Sequence, residues 1–328
     1  MGSAIADYLS QRKNENVKMK MPKQFVPIFQ VLLPKVLKTA ALGVGALAGV
    51  LGLSYGACLL KRPPRRAQMR ALFQGIRYER LVRESPRPLL FHVVEIDLRA
   101  PGIGFLVTPQ GQDSAGKDTL ADTVPGFLQK NGVQVAINGS FFYPMHVHHA
   151  FDYAPRVGEG VNVVGLAISS GERYSAVEDG WAALCIVDAQ ELSMTEDGDC
   201  PENTVHGLAG DRIFIKNGKM VADANRDQLF PRTAIALDAA KETMWLAVVD
   251  GRQKGYSEGV TLAELAEVLI EQGADQALNL DGGGSSALAI AEGDSAQVLN
   301  APIQARVPTH QRPVANHLGV FAKPLQSP

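Results

Sequence analysis

The sequence predicts an α+β protein, with a large mixed β-sheet core and flanking helices behind one N-terminal transmembrane helix. Three observations carry this. Short apolar runs bounded by Gly, Pro and Asn dominate the chain beyond residue 85, the pattern of many short strands. They do not alternate regularly with helical patterns, which argues against a doubly wound α/β sheet. Near the N-terminus, Thr39–Leu60 runs for 22 residues without a charge, about the length a helix needs to cross a bilayer core of ~30 Å.

From the N-terminus, residues 1–38 form a basic segment, 39–60 the transmembrane anchor, 61–85 a basic linker and 86–325 the globular domain. Lys61-Arg62-Pro63-Pro64-Arg65-Arg66 closes the anchor. A signal-peptide apolar region is shorter and ends in a small-residue cleavage site, so a retained anchor is the better reading. Lys18, Lys20, Lys23, Lys35 and Lys38 balance the basic run after Leu60, and counting positive charges therefore does not fix the orientation. Gly45, Gly49, Gly52 and Gly56 recur at the spacing that lets two membrane helices approach, so a homodimer through the anchor is one reading and ordinary small residues the other.

Within the body, Leu89–Leu98, Val133–Ile137, Val163–Ile168, Trp181–Val187, Thr233–Leu237, Met244–Val249 and His317–Phe321 read as strands. Asn217-Gly218 between two apolar runs predicts a hairpin, since both positions tolerate φ > 0. One helix is expected around Thr119–Lys130, broken at Pro125. A second is expected over Thr261–Gln272, where Thr261 and Glu264 make a capping box and Gly273 ends the helix. Cys185 and Cys200 have two readings, a disulfide in an oxidising compartment or buried free thiols; their spacing matches no zinc pattern.

Charge is divided sharply. Residues 1–70 hold 12 Lys and Arg against 2 Asp and Glu, leaving the rest of the chain with 20 against 32. An acidic body argues against nucleic acid as partner, because phosphate backbones are bound by basic surfaces.

The most informative segment is Asn279-Leu280-Asp281-Gly282-Gly283-Gly284-Ser285-Ser286. Three glycines remove every Cβ from a bend, so backbone N–H groups can approach a ligand and φ > 0 is unstrained. A plain turn needs one or two glycines. Clustered N–H groups bind phosphate oxygens, and a nearby carboxylate stays free for hydroxyls or chemistry. Four further motifs are Asn138-Gly139-Ser140-Phe141-Phe142, Pro231-Arg232-Thr233-Ala234, Asp250-Gly251-Arg252 with Gly255-Tyr256-Ser257-Glu258-Gly259, and Arg312-Pro313-Val314-Ala315-Asn316-His317.

Taken in chain order, with the Asn279–Ser286 loop fourth, the five motifs resemble the phosphodiester glycosidase family over roughly residues 90–322. The resemblance implies a hydrolase that cleaves the C1–O bond of a sugar-1-phosphodiester. It also implies no required cofactor and a domain that works on envelope or exported glycans outside the cytoplasm, at the periplasmic or cell-surface side. The expected partners are such a substrate and the lipid bilayer.

The leaving group in such a substrate is already a stabilised phosphate, so charge stabilisation matters more than proton donation. Arg232 and Arg252 are the expected phosphate clamp, since guanidinium forks match phosphate oxygens in pairs. Asp250 and Asp281, each ending an apolar strand, are the expected catalytic carboxylates, with Glu258 in reserve. Substrate contacts are expected from Asn138, Thr233, Ser257, Asn279, Gly282, Gly283, Gly284, Ser285, Ser286 and Asn316. His146 and His148 with Asp152 are the place where a divalent metal would bind; a solvated substrate-facing loop is the preferred reading of that cluster. Two other readings stay open. Ser257 has nucleophile-elbow spacing, which suggests a serine-type ester hydrolase, although residues 250–254 separate it from the strand. A non-catalytic glycan-binding module would use the same polar residues.

Overall fold

The computed structural model describes residues 49–50, 52–111, 116–221 and 228–325. The described part of the expected anchor, residues 49–50 and 52–60, is helical and ends at Leu60; the rest of the anchor and the basic segment lie outside the described residues. Among those residues no helix is long and apolar enough to cross a membrane. A compact unit begins at Ala57.

The β content divides into three principal sheets instead of one. The largest has eight strands in the order Gln68–Phe73, Ile76–Arg83, Leu89–Asp97, Thr243–Val249, Arg232–Leu237, Gln276–Asn279, Arg212–Lys216 and Lys219–Met220. Its ladders are all antiparallel, so the expected mixed sheet is corrected. Much of the 61–85 stretch, read from sequence as a linker, supplies the first two strands. The second sheet orders Ser295–Val298, Leu288–Glu292, Val135–Asn138, His317–Phe321 and Gly104–Val107. The third orders Glu172–Ser175, Ala167–Ser169, His206–Gly210, Ala182–Ile186 and Leu192–Thr195.

Strand patterning explains how these layers meet. On Leu89–Asp97 and Thr243–Val249, side chains of one parity (Val94, Ile96, Leu246, Val248) join the central core shared with the other two sheets. The opposite parity (Phe91, Val93, Trp245, Ala247) packs against the Leu262–Glu271 helix. Burial on both faces makes these strands continuous apolar runs. The helix lays Leu262, Leu265, Ala266 and Leu269 on that face. Its N-terminus has the full capping box, with Thr261 Oγ1 accepting from Glu264 N–H at 3.1 Å and Glu264 Oε2 accepting from Thr261 N–H at 2.9 Å. The other helix, Val124–Asn131, starts where the sequence suggested a break. Thr123 caps it and Pro125 sits in the first turn, where a missing N–H costs nothing; Thr119–Leu120 is a short strand instead. Asn217 and Gly218 make the expected hairpin turn with φ of 51° and 66°. Cys185 and Cys200 form a disulfide, which closes the loop containing the acidic turn 196–199.

Candidate active site

The strands Arg232–Leu237 and Gln276–Asn279 are paired at the centre of the large sheet, and the loops at their ends open into a cleft of about 700 Å³. Asp281 lies just beyond the second strand. Its N–H donates to Gly139 O at 3.2 Å and its carbonyl accepts from Asn138 Nδ2 at 2.7 Å. With the backbone held from both sides, the carboxylate has a fixed position in the cleft wall.

Burial pushes the Asp281 carboxyl up to about 6, opposed by the Ser285 hydroxyl, the Gly282 N–H and the charges of Arg312 and Arg252. Arg312 donates from Nη1 to Ser285 Oγ at 3.2 Å and from Nε to Gln304 Oε1 at 3.0 Å. The guanidiniums of Arg232 and Arg252 lie 5.3 and 5.0 Å from the Phe230 ring centre. Burial holds Arg232, Arg252 and Arg312 below the usual arginine range, which leaves three strongly basic but poorly hydrated cations. Asp211 and Arg212 also belong to the charged lining. Among the described residues the lining sets four arginines against two carboxylates, and cations in a poorly hydrated cleft suit an anion, because low dielectric strengthens each contact.

The glycine loop serves this arrangement differently from the sequence expectation. A Cβ on Gly284 would come within 2.5 Å of Arg312 Nη2 and 2.6 Å of Gln304 Oε1. One on Gly283, where φ is +62°, would lie 3.2 Å from both terminal nitrogens of Arg252. One on Gly282 would strike the Pro231 carbonyl at 2.7 Å. Gly283 N–H is already spent on Pro231 O at 2.9 Å and Ser285 N–H on Gly282 O at 3.2 Å. The bare backbone is thus a seat for guanidiniums more than a nest of free amides.

Of the residues picked out from sequence, Arg232, Arg252, Asn279, Asp281 and Gly282–Gly284 meet in the cleft, and Phe141 and His146 also line it. Ser285 stands behind them as the link between Arg312 and Asp281. Asn138 and Thr233 are fully buried beneath the loop: Asn138 Oδ1 accepts from Thr233 Oγ1 at 2.8 Å and Ala287 N–H at 3.2 Å. Asn316 is likewise committed, to Ser140. Ser286 is buried outside the cleft lining.

Asp250 does not reach the cleft. Its Oδ1 accepts from Ala301 N–H at 2.8 Å and Asn300 Nδ2 at 3.1 Å, and its Oδ2 meets His92 Nε2 at 3.1 Å. This carboxylate is scaffold, because every oxygen is engaged and buried. Glu258 is also absent from the lining. Ser257 is wholly buried, its hydroxyl donating to Asp250 O at 2.6 Å and accepting from Leu90 N–H at 3.0 Å. That geometry removes the serine-nucleophile reading, since no substrate carbon can approach the oxygen.

His146 and His148 lie on the exposed strand His146–His149, paired with Asp152–Ala154. His146 Nε2 and Asp152 Oδ1 are 3.2 Å apart, and the contact holds the Asp152 carboxyl below the ordinary range. Among the described residues no group of three His, Cys, Asp or Glu could hold a metal. Arg312, Asp211 and Phe230 were missed from sequence. Arg312 heads the fifth motif and Phe230 precedes the second, so both had a signal; Asp211, between two strands, had none.

A sequence model described as phosphodiester glycosidase matches residues 131–321, more than half of the chain. Among solved structures, the catalytic domain of zebrafish N-acetylglucosamine-1-phosphodiester alpha-N-acetylglucosaminidase, described as auto-inhibited by its pro-peptide, is similar. The TM-score is 0.52 at 20% identity, covering 79% of this chain and 88% of that one. A hypothetical protein from Synechocystis matches with a TM-score of 0.50 at 19% identity, over 80% of this chain and 64% of that one. A putative exported protein from Burkholderia pseudomallei matches with a TM-score of 0.50 at 15% identity, over 73% and 75%. At these identities the likeness is one of fold. No curated protein sequence matches the chain. The family match carries the assignment: the chain belongs to the phosphodiester glycosidase family and is a hydrolase.

Proposed function

We propose that this protein is a membrane-anchored glycosidase that hydrolyses a sugar-1-phosphodiester by cleaving the C1–O bond, in an envelope or exported glycan outside the cytoplasm. The observation that carries the reading is Asp281, a fixed carboxylate raised to about 6, beside the guanidiniums of Arg252 and Arg312 that the glycine loop seats.

The parts suit the reaction. The guanidiniums take the phosphodiester anion and stabilise the second charge that appears when the bond to C1 breaks. Ionised Asp281 supplies negative charge beside the oxocarbenium-like centre and directs the attack on C1. Water ends as the sugar's C1 hydroxyl and a proton, and the phosphate leaves as a monoester of the second alcohol. Arg232 closes the clamp over Phe230. None of these steps needs a metal, and the His146 strand serves as a substrate-facing lip.

The anchor assignment is supported by the uncharged 22-residue run. The exposure of Val50, Leu53, Tyr55 and Leu60 at its described end fits a lipid-facing helix. Gly49, Gly52 and Gly56 have open space around them, as a helix–helix contact between two copies would use. The Cys185–Cys200 disulfide favours an oxidising compartment, in keeping with a fold shared with a putative exported protein. The domain is taken to comprise residues 86–325 together with the two strands that precede it.

Incubating the full chain with α- and β-linked sugar phosphodiesters and measuring free reducing sugar tests the proposal. Sugar release from at least one anomer is expected. Sugar binding without release from any diester would leave a glycan-binding module instead.

A further inference from the structure

One buried acceptor in the cleft lacks a donor. Asn279 is 1% exposed, it lines the cleft, and its Oδ1 has no hydrogen-bond partner among the described residues. Its Nδ2 donates to Asp211 Oδ1 at 2.6 Å. An ionised carboxylate only accepts, so this contact decides which end of the amide is nitrogen and leaves the oxygen as the buried atom without a donor. An amide oxygen buried without a donor is destabilising, and a ligand relieves this by donating to it.

Asp211 is tied to the same place. Its N–H donates to Asn279 O at 3.1 Å, and its Oδ2 accepts from Arg212 Nε at 3.2 Å. The side chain is one-quarter exposed and lines the cleft. A carboxylate offers about four acceptor sites, so capacity remains beyond these two side-chain contacts. The cleft therefore has two neighbouring acceptors in one region, where Arg232 feels the charge of Asp211. In the other region Arg252 and Arg312 feel that of Asp281. A phosphodiester anion has no proton to donate and cannot satisfy Asn279 Oδ1. Sugar hydroxyls can.

We infer that Asp211 and Asn279 form the sugar-reading edge of the cleft, accepting hydrogen bonds from a vicinal pair of hydroxyls on the sugar that is released. Asn279 touches the sugar, and Asp211 is the positioning residue that keeps its amide oxygen outward. This inference rests on the reaction proposed above. It selects substrates whose ring hydroxyls at that edge are free, and disfavours sugars deoxygenated or alkylated there.

The test uses the full chain and phenyl diesters of glucose, mannose, galactose and N-acetylglucosamine 1-phosphates, with the single-deoxy analogues of whichever reacts best. Removing one particular hydroxyl should lower kcat/KM on the order of 10- to 100-fold in the wild type, the range for an unmet buried acceptor. Asn279→Ala should abolish that difference. Asp211→Asn should shrink it while the ratios for the other deoxy positions stay put, a pattern that general loosening of the fold does not produce. Identical deoxy-to-parent ratios in wild type and Asn279→Ala at every position would overturn the inference. Calorimetric titration of the same variants with the sugar 1-phosphates separates the two claims. Hydroxyl-selective binding without sugar release contradicts the reaction and leaves the edge standing, whereas sugar release without hydroxyl coupling does the reverse. Absence of binding by any sugar phosphate overturns the edge outright.

Discussion

At the scale of the residue, Asp281 makes the sharpest statement. Its folded value of about 6 lies above the ordinary 3.8, so the folded state holds the proton more tightly than the unfolded chain. Its contribution to stability is present below pH ~4 and is lost as pH rises through about 6, because an ionised buried carboxylate is then retained. Asp281→Asn should consequently melt higher than the wild type at pH 8. The gain should be on the order of 2–3 kcal/mol, at about 1.4 kcal/mol for each tenfold difference in proton affinity, and it should vanish near pH 4. The same variant should turn over at least ~10²-fold more slowly. Wild-type kcat/KM should rise with pH through an apparent value near 6, as expected for a group that acts ionised. Gly284→Ala probes the neighbouring contact. Its methyl must displace Arg312 or Gln304, so KM should rise while the backbone, which has no positive φ there, keeps most of its stability; titration with an inorganic phosphate ester should show the same weakening.

At the scale of the element, the loop 250–259 explains why a motif can be legible and its chemistry misassigned. Asp250-Gly251-Arg252 is visible in the sequence, but nothing local tells which charged residue faces the cleft. Packing decides it: Asp250 faces inward to His92, Asn300 and Ala301, whereas Arg252, at φ +58°, faces the glycine loop. His92 in turn meets the hydroxyl of Tyr78 at 2.8 Å through Nδ1, and Arg80 donates to that hydroxyl and to Pro64 O. This chain of contacts runs from the segment just after the helix to the loop that presents Arg252, and Tyr256 adds a second tie by donating to Pro63 O at 2.8 Å. Asp250→Asn should cost about 1–3 kcal/mol in chemical unfolding, the range for upsetting a buried polar network, with turnover per folded molecule close to the wild type. Loss of turnover with stability unchanged would make Asp250 a catalytic carboxylate after all. By contrast the Leu262–Glu271 helix and the Asn217-Gly218 hairpin were readable because each rests on local chemistry, a capping box in one and a pair of φ > 0 residues in the other. The first two strands of the large sheet were not, because charged residues alternate with Ile76 and Tyr78 and hide the apolar face.

At the scale of the whole molecule, the five motifs lie far apart in sequence, and the sheets bring them to one end. The ladder between Arg232–Leu237 and Gln276–Asn279 sets Pro231 against the glycine loop, and the second sheet carries Asn138 and His317 beneath it. The order of these motifs was legible, whereas the division of the strands into three principal antiparallel sheets depends on long-range pairing that no local pattern encodes. Topology is the expectation that belongs here. Fusing residues 1–70 to a reporter active only outside the cytoplasm should give signal, because one uncharged span carries the following domain across. Signal only from a cytoplasm-restricted reporter at the same junction would place the cleft on the other side.

The central claim is that the bond broken joins C1 to oxygen and that Asp281 directs the attack there. Turnover of a reactive sugar phosphodiester in ¹⁸O-labelled water, with the phosphate product analysed by mass, tests it most directly. The wild type should make a phosphate monoester free of label, and Asp281→Asn should make almost none. Label in the phosphate would mean attack at phosphorus and would contradict the claim.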